Sequence, residues 1–474
     1  MTKQLRPTSS PGNIRRFMNL AASLDRHFPR YETYDPLVPV WCVTPHAGHC
    51  THRFFDTSPI SPSGRYLALL RLPFEDRQPA PGDVAHVILV DLQTGTETVL
   101  ADTRGWEHQL GANLNWGGSD HELFFNDVDT ATWTPFSWKL DPLTGTRQRL
   151  EGTVYHASPD GRWLISSNLV LTRKTQCGYG VVVPESACPP WRIGPTDDDG
   201  FWLTDTHTGK RRLLVSIKQI VDTLSAPGHP TPLRCGETNP PTDLDRCEII
   251  GFHSKFNPQG DALMLSLRWF PAGASPGWDM FKVNYQSVCF AWVTLRIDPA
   301  TGEPDLASLR CATGPELWQH PGHHATWFPD GRRISQNLAL PSAGSGNELR
   351  LVEVNADGTG LRIIPGTDHP KIPGSGHPTV YPDGRHILTD TYTNEQTAFG
   401  DGTVPLRWID LQTRTEKCLV RINARNPAAA IHSVLRCDPH PAWDRTWRYI
   451  TFNGMDGDTR RVYIADLQAV LAAS

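Results

Sequence analysis

The sequence lacks most of the features that assign a chain quickly. It has no apolar run long enough to span a bilayer, which excludes a membrane-spanning helix. Positive charge is not in excess. Lys and Arg number 45 against 50 Asp and Glu, a net charge of −5, and that leaves no basic footprint for nucleic acid. The opening Met1-Thr-Lys-Gln-Leu-Arg-Pro7 has no apolar core of the signal-peptide type, so a cytoplasmic location is the expectation. Gly-x-Ser-x-Gly elbows, phosphate-binding glycine loops and His-Glu-x-x-His helices are all missing. Low-complexity stretches and linkers are missing too.

What is abundant is the turn. The chain carries 39 Gly and 41 Pro in 474 residues. Its length alone would suggest two or three domains, but internal repeats outrank length. A tight turn followed by an alternating strand occurs seven times. The turns are Ser61-Pro-Ser-Gly64, Trp116-Gly-Gly-Ser-Asp120, Ser158-Pro-Asp-Gly161, Asn257-Pro-Gln-Gly260, Phe328-Pro-Asp-Gly331, Tyr381-Pro-Asp-Gly384 and Asp444-Arg-Thr-Trp447. A second motif often follows, an outer strand ending in Asp-Leu or its like and then a turn with Thr-Gly or Asp-Gly. Each unit reads as a four-stranded meander that cannot bury its faces alone, and stacking like units around an axis solves that. The fold class expected is all-β, a seven-bladed β-propeller of four-stranded antiparallel blades. It should occupy residues 41–474, with residues 1–40 an extension carrying a short helix between Asn13 and Leu24. The strand Val462–Leu467 should close the ring against N-terminal chain.

Counting back five residues from the second turn position gives one slot per repeat: Thr57, Asn113, Val154, His253, His324, His377 and His440. Alternation along a strand fixes which way a side chain points. Four histidines in one phase should therefore converge on one spot if the strands surround an axis. The bland reading is that polar inner-strand residues fill a narrow wet channel. Cys437, three residues before His440, favours a metal instead, because imidazole with thiolate suits zinc. The predicted ligands of a divalent metal are His324, His377, Cys437 and His440, with His323 and Asp390 as alternates. Zinc in a structural role comes first, manganese or calcium second.

A second cluster, Cys42, His46, His49, Cys50 and His52, has the composition of a zinc site but the spacing of no known finger. Cys42/Cys50, Cys177/Cys188 and Cys235/Cys247 are spaced as a disulfide could close, and reduced thiols are the expectation. The longest insert, from about Thr172 to Cys247, reads as loops at a propeller mouth, where function concentrates. Its Trp191 and Trp202 are candidates to stack on sugar rings, whereas Trp163 and Trp327 belong to the repeat and should be core.

Several stretches carry a family resemblance: Gly376-His-Pro with Asp390-Thr-Tyr392, Arg436-Cys-Asp-Pro-His-Pro441, Ser58-Pro-Ile-Ser-Pro-Ser-Gly-Arg-Tyr66, Gly111-Ala-Asn-Leu-Asn-Trp-Gly117 and Gly178-Tyr-Gly180. Together they resemble the seven-bladed propeller polysaccharide lyases, ulvan lyases most closely and oligogalacturonate lyase more distantly. The resemblance spans about Thr51 to Leu467. It implies an enzyme, a lyase that cleaves uronic-acid glycans by β-elimination, with a uronate-containing oligosaccharide or polysaccharide as partner and neither nucleic acid nor membrane. That chemistry needs cations or neutral donors at the sugar carboxylate, a base for the C5 proton and an acid for the departing O4. By resemblance Tyr179 is the base and acid, while Arg192 and His253 bind the uronate. Asn113 stands where ulvan lyases place a His. It can donate to a carboxylate but cannot carry a proton in the reaction, and a second family His near Trp133 is absent. His108 or His156 could substitute. The competing readings are a non-catalytic TolB-like propeller, which would not need four phased histidines, and a metal-dependent sugar isomerase, epimerase or hydrolase.

Overall fold

The computed structural model describes residues 20–190, 192–233, 243–271, 288–317, 322–368, 372–430 and 433–473. The chain is a seven-bladed β-propeller, with seven four-stranded antiparallel sheets each built from the axis outward. Blade 1 contains Cys50–Thr51, Tyr66–Arg71, Ala85–Asp91 and Glu97–Thr103. Blades 2 to 6 follow in chain order, with inner strands Asn115–Trp116, His156–Ala157, Cys247–Phe256, Gly322–Trp327 and Thr379–Val380. Blade 7 takes Ala442–Trp443, Tyr449–Asp456 and Thr459–Asp466 from the C-terminal end and Val40–Cys42 as its outermost strand. Val40 pairs with Ala465 and Cys42 with Tyr463, so the ring closes by strand addition as the sequence predicts. Among the described residues no helix is long and apolar enough to cross a membrane.

Period-two alternation explains the stacking. On Tyr66–Arg71, Leu67 and Leu69 pack with Tyr449, Val462 and Ile464 of blade 7. Their neighbours Ala68 and Leu70 pack with Leu123 and Phe125 of blade 2. One strand thus feeds two inter-blade cores, and each fully buried Leu contributes about 1.5–3 kcal/mol. The Arg that directly follows several turns has a partner in the outer motif's Asp. Arg65 pairs with Asp91 at 2.7 Å and Arg448 with Asp466 at 2.5 Å, and Arg385 pairs with Asp410 in the same way.

A described helix at Leu20–His27 buries Leu20 and Leu24 beside Trp41. It overlaps the C-terminal end of the helix expected between Asn13 and Leu24, and residues 13–19 lie outside the described residues. The long insert carries two more helices, Leu169–Thr175 and Ile217–Ser225, the second opened by a Ser216–Gln219 capping box. Cys42, Cys50 and Cys177 are free thiols, so the first two candidate disulfides are not formed. Cys235 and Trp191 lie outside the described residues.

Candidate active site at the mouth of the central channel

The slot residues reach the axis through unusual backbone. Asn113, His324 and His440 have φ of 54°, 58° and 50°, the left-handed region that a residue with a Cβ enters at a cost of about 1–2 kcal/mol. Gly376, just before His377, has φ of 59°, and a Cβ there would lie 2.2 Å from the Asp390 carbonyl oxygen. These bends turn the side chains inward.

The four imidazoles do converge. The His324 and His377 rings lie 3.9 Å apart and the His377 and His440 rings 4.2 Å. All four surround the Phe54 ring, at 5.8 Å for His253, 6.1 Å for His324, 5.6 Å for His377 and 4.7 Å for His440. Within the cluster the roles differ. His377 donates from Nδ1 to Asp390, whose oxygens lie 2.8 and 3.0 Å away, so its ring is fixed with Nε2 facing away from that carboxylate. Among the described residues that Nε2 has no hydrogen-bond partner, and neither nitrogen of His440 has one, although His440 Nε2 lies 3.7 Å from Asp438. His324 is engaged at both ends: Nδ1 donates to the Gly376 carbonyl at 2.6 Å and Nε2 accepts from the Tyr392 hydroxyl at 3.2 Å.

Ligand atoms of His377, Asp438 and His440 all lie within 4.8 Å of one another, and these three are buried. Cys437 is not one of them. Burial pushes its thiol up to about 12, against the opposing charge of Arg460. Asp390, an alternate ligand from the sequence, stands behind His377 as its orienting carboxylate, and His323 lies with Nδ1 2.9 Å from Nδ1 of His324. The second cysteine–histidine cluster is dispersed. His49 pairs with Glu75 at 2.8 Å, the Cys50 thiol donates to the Gly48 carbonyl, and His52 is buried in the channel 6.3 Å from the His440 ring.

Beside the imidazoles lies a cavity of about 350 Å3, lined by Tyr179, His253, Arg268, His324, Tyr392 and Arg436 among others. Arg436 organises it. Its guanidinium donates to both Asp438 oxygens at 2.7 and 3.0 Å and to the Tyr179 hydroxyl oxygen at 3.1 Å. Arg268 lies 3.3 Å over the Phe252 ring and donates to Gln176 at 2.8 Å. Burial raises the Tyr179 hydroxyl above its ordinary range, with Arg436 opposing, and raises Tyr392 well above it. Burial, then the charges of Lys255 and Arg268, holds His253 well below the ordinary imidazole range. At neutral pH the cavity therefore presents two cations, neutral phenols and a neutral imidazole whose Nε2 has no hydrogen-bond partner among the described residues. Such a set can hold an anion, accept one proton and donate another.

Two predicted residues fall elsewhere. Arg192 lines a separate hollow of about 310 Å3 with Trp133 and Trp202, and pairs there with Asp198. Asn113 is fully buried behind Arg53, whose Nε donates to its Oδ1 at 3.2 Å, and it does not line the Tyr179 cavity. His108, lowered to about 4 by burial, and His156, lowered to about 3 by burial, do not line it either. Arg268, Tyr392 and Arg436 line the cavity and were given no role from sequence. Arg268 had a signal, a charge inside the apolar run Leu263–Phe270. Tyr392 and Arg436 both lie in stretches that carry the resemblance.

No protein-family model matches the chain, and no curated protein matches it in sequence. Solved structures do match. An oligogalacturonate lyase from Vibrio parahaemolyticus aligns with 93% of this chain and 96% of its own, at 13% identity and a TM-score of 0.55. An oligogalacturonate lyase in complex with manganese aligns with the same coverage, at 14% identity and a TM-score of 0.55. TolB from Acinetobacter baumannii aligns with 74% of this chain and 63% of its own, at 12% identity and a TM-score of 0.35. At these identities what the chain shares with the two lyases is the fold.

Proposed function

We propose that the chain is a lyase that cleaves a uronate-containing oligosaccharide by β-elimination at the Tyr179 cavity. The carrying observation is the meeting of two guanidiniums, buried Arg268 and half-buried Arg436, with the Tyr179 phenol and the Nε2 of neutral His253, which has no hydrogen-bond partner among the described residues, in one sugar-sized hollow. In this reading Arg268 and Arg436 hold the sugar carboxylate, and their charge makes the adjacent C5 proton removable. His253 Nε2 takes that proton. The C5–H electron pair becomes the C4–C5 double bond, the C4–O4 bond breaks, and Tyr179 supplies the proton to O4. This division differs from the one the resemblance implies. Tyr179 serves as acid because Arg436 donates to its oxygen and burial keeps its proton on. His253 serves as base because it is held neutral, and Arg436 with Arg268 replaces Arg192 at the carboxylate.

The residues also fit a divalent metal, since His377 Nε2 and both nitrogens of His440 are buried next to Asp438 with no hydrogen-bond partner among the described residues. His377, Asp438 and His440 would hold it, and when bound it would supply positive charge beside the carboxylate-binding cations. Three protein ligands leave coordination positions open, unlike a closed structural site. A carboxylate in place of a thiolate removes the preference for zinc, and the manganese complex of one fold neighbour makes manganese the first ion to test. Galacturonate oligomers are the first substrate to test for the same reason, with ulvan oligomers second on the strength of the sequence motifs. Incubation of each with the purified chain and manganese, followed by mass and ultraviolet analysis, should give an unsaturated uronate end. Saturated ends, or no cleavage across a panel of uronate glycans, would overturn the proposal.

A further inference from the structure

The Tyr179 loop is locked from behind by a residue that does not line the cavity. Gly178 and Gly180 flank the phenol, and both amides donate to one oxygen of Glu107: Gly178 N lies 3.1 Å and Gly180 N 2.7 Å from Oε2. The other oxygen, Oε1, accepts from Arg173 Nε at 2.6 Å. Glu107 is 1% exposed. Nearby amides converging on one oxygen form an anion-binding nest, and the anion here is the protein's own carboxylate.

The glycines are required by the same packing. Gly178 has φ of 94°, and a Cβ on it would lie 2.4 Å from Val434 Cγ2. A Cβ on Gly180 would lie 2.3 Å from the Leu169 carbonyl oxygen and 2.9 Å from Arg173 Cβ. The loop is thus pressed against the helix Leu169–Thr175 on one side and the Arg436 segment on the other. Gln109, two residues from Glu107, joins the second contact by donating to the carbonyls of Val434 at 2.7 Å and Arg436 at 3.1 Å. One short segment therefore sets the distance between Tyr179 and Arg436.

We propose that Glu107 is a positioning residue of the elimination. Its carboxylate fixes the Tyr179 hydroxyl at the departing oxygen by holding the amides on both sides of that residue. The proposal rests on the lyase reading above and adds to it a residue that touches no substrate. Replacing the carboxylate by an amide, in Glu107→Gln, keeps the size but sets an NH2 against either the loop amides or the Arg173 guanidinium, donor against donor. The buried amides then move to find an acceptor. A displacement of about 1 Å costs about 100-fold in rate when the moved group acts in the chemistry.

The test is a double-mutant cycle on the full chain with manganese present and galacturonate oligomers as substrate, alongside hydrogen exchange of the Gly178–Gly180 segment. Glu107→Gln should lower kcat by about 100-fold with KM changed less than about threefold, and should speed exchange of that segment. In a Tyr179→Phe background the same change should cost less than about threefold, because the hydroxyl it positions is gone. An equal loss in both backgrounds, or unchanged exchange, would overturn the proposal in favour of a purely structural Glu107. If Glu107→Gln does not fold, Arg173→Gln, which frees the other carboxylate oxygen, should give a smaller loss of the same background-dependent kind, and an equal loss in both backgrounds would again overturn it. If the native chain eliminates nothing, the lyase reading fails, and the exchange measurement still decides whether Glu107 holds the loop.

Discussion

Two hollows of similar size are each lined in part by the insert that contains Tyr179, and both hold arginines and aromatic rings. They differ in what stands behind the charges. At the Tyr179 cavity the Arg436 side chain, 26% exposed, is held by buried Asp438, and beside the cavity buried His377 is held by buried Asp390. In the Arg192 hollow the side chains of Arg192 and Asp198 are 45% and 61% exposed, so their ion pair is screened and contributes little. The contrast separates a preorganised site from a surface cleft. A fixed, desolvated cation stabilises developing charge, whereas a mobile, hydrated one spends most of its field on water.

The widest gap between the two hollows should appear in kinetics. Arg436→Ala should lower kcat/KM on a uronate oligomer by about 10²–10³-fold, the scale of losing one preorganised donor. Arg192→Ala should change it by less than about threefold, on the scale of a surface ion pair. Steady-state rates of the two variants side by side check this, and comparable losses would erase the distinction.

The comparison sharpens further at the metal ligands, where neighbouring residues compete. With manganese at 100 times its Kd, the chain should gain about 2.7 kcal/mol of stability by mass action. Asp438→Asn should abolish most of that gain, whereas Cys437→Ser should keep it. Denaturant unfolding with and without the ion reads both. If Cys437→Ser loses the gain and Asp438→Asn keeps it, the thiolate is the ligand after all.

Acid should separate the buried interior from the surface. Burial lowers His52 and His108 to about 4 and His323 to about 3, and it holds His253, His324 and His440 well below the ordinary range. A depressed imidazole binds its proton more readily in the unfolded chain. Stability is then fully present above the unfolded pKa of about 6.5 and is lost as pH falls below it. Each such histidine contributes a slope of up to about 1.4 kcal/mol per pH unit in that window. The unfolding free energy should therefore fall steeply between about pH 6 and pH 4.5, by more than the slope of any single group. A flat profile there would contradict the buried neutral state of the cluster. The surface pair His86–Asp102, by contrast, should matter little: His86→Ala should shift stability by less than about 1 kcal/mol.

How much of this was legible follows from where the information lies along the chain. The blades were legible because each is local: turn, strand, turn and strand recur within one repeat, and Leu67 to Leu70 show both inter-blade faces in a single strand. The convergence of His253, His324, His377 and His440 was legible because the repeat carries each to the same place. The Tyr179–Arg436 contact was not. These residues are 257 positions apart, and no periodicity links them. From sequence, zinc chemistry points to the Cys437 thiolate and not to Asp438, but burial keeps the thiol protonated, and the ligand atoms that meet are those of His377, Asp438 and His440. The resemblance points to Arg192 by its distance along the chain from Tyr179, but the chain between them, through Pro184, Pro189 and Pro190, leads to the neighbouring hollow.

The most direct measurement is a crystal structure of the His253→Ala variant, soaked or co-crystallised with a galacturonate oligomer and manganese. The account predicts a uronate carboxylate within hydrogen-bonding distance of Arg268 and Arg436, with C5 facing the space left by the imidazole and O4 beside the Tyr179 hydroxyl. A sugar seated instead against Arg192 and Trp202, with the Tyr179 cavity holding only water, would contradict it.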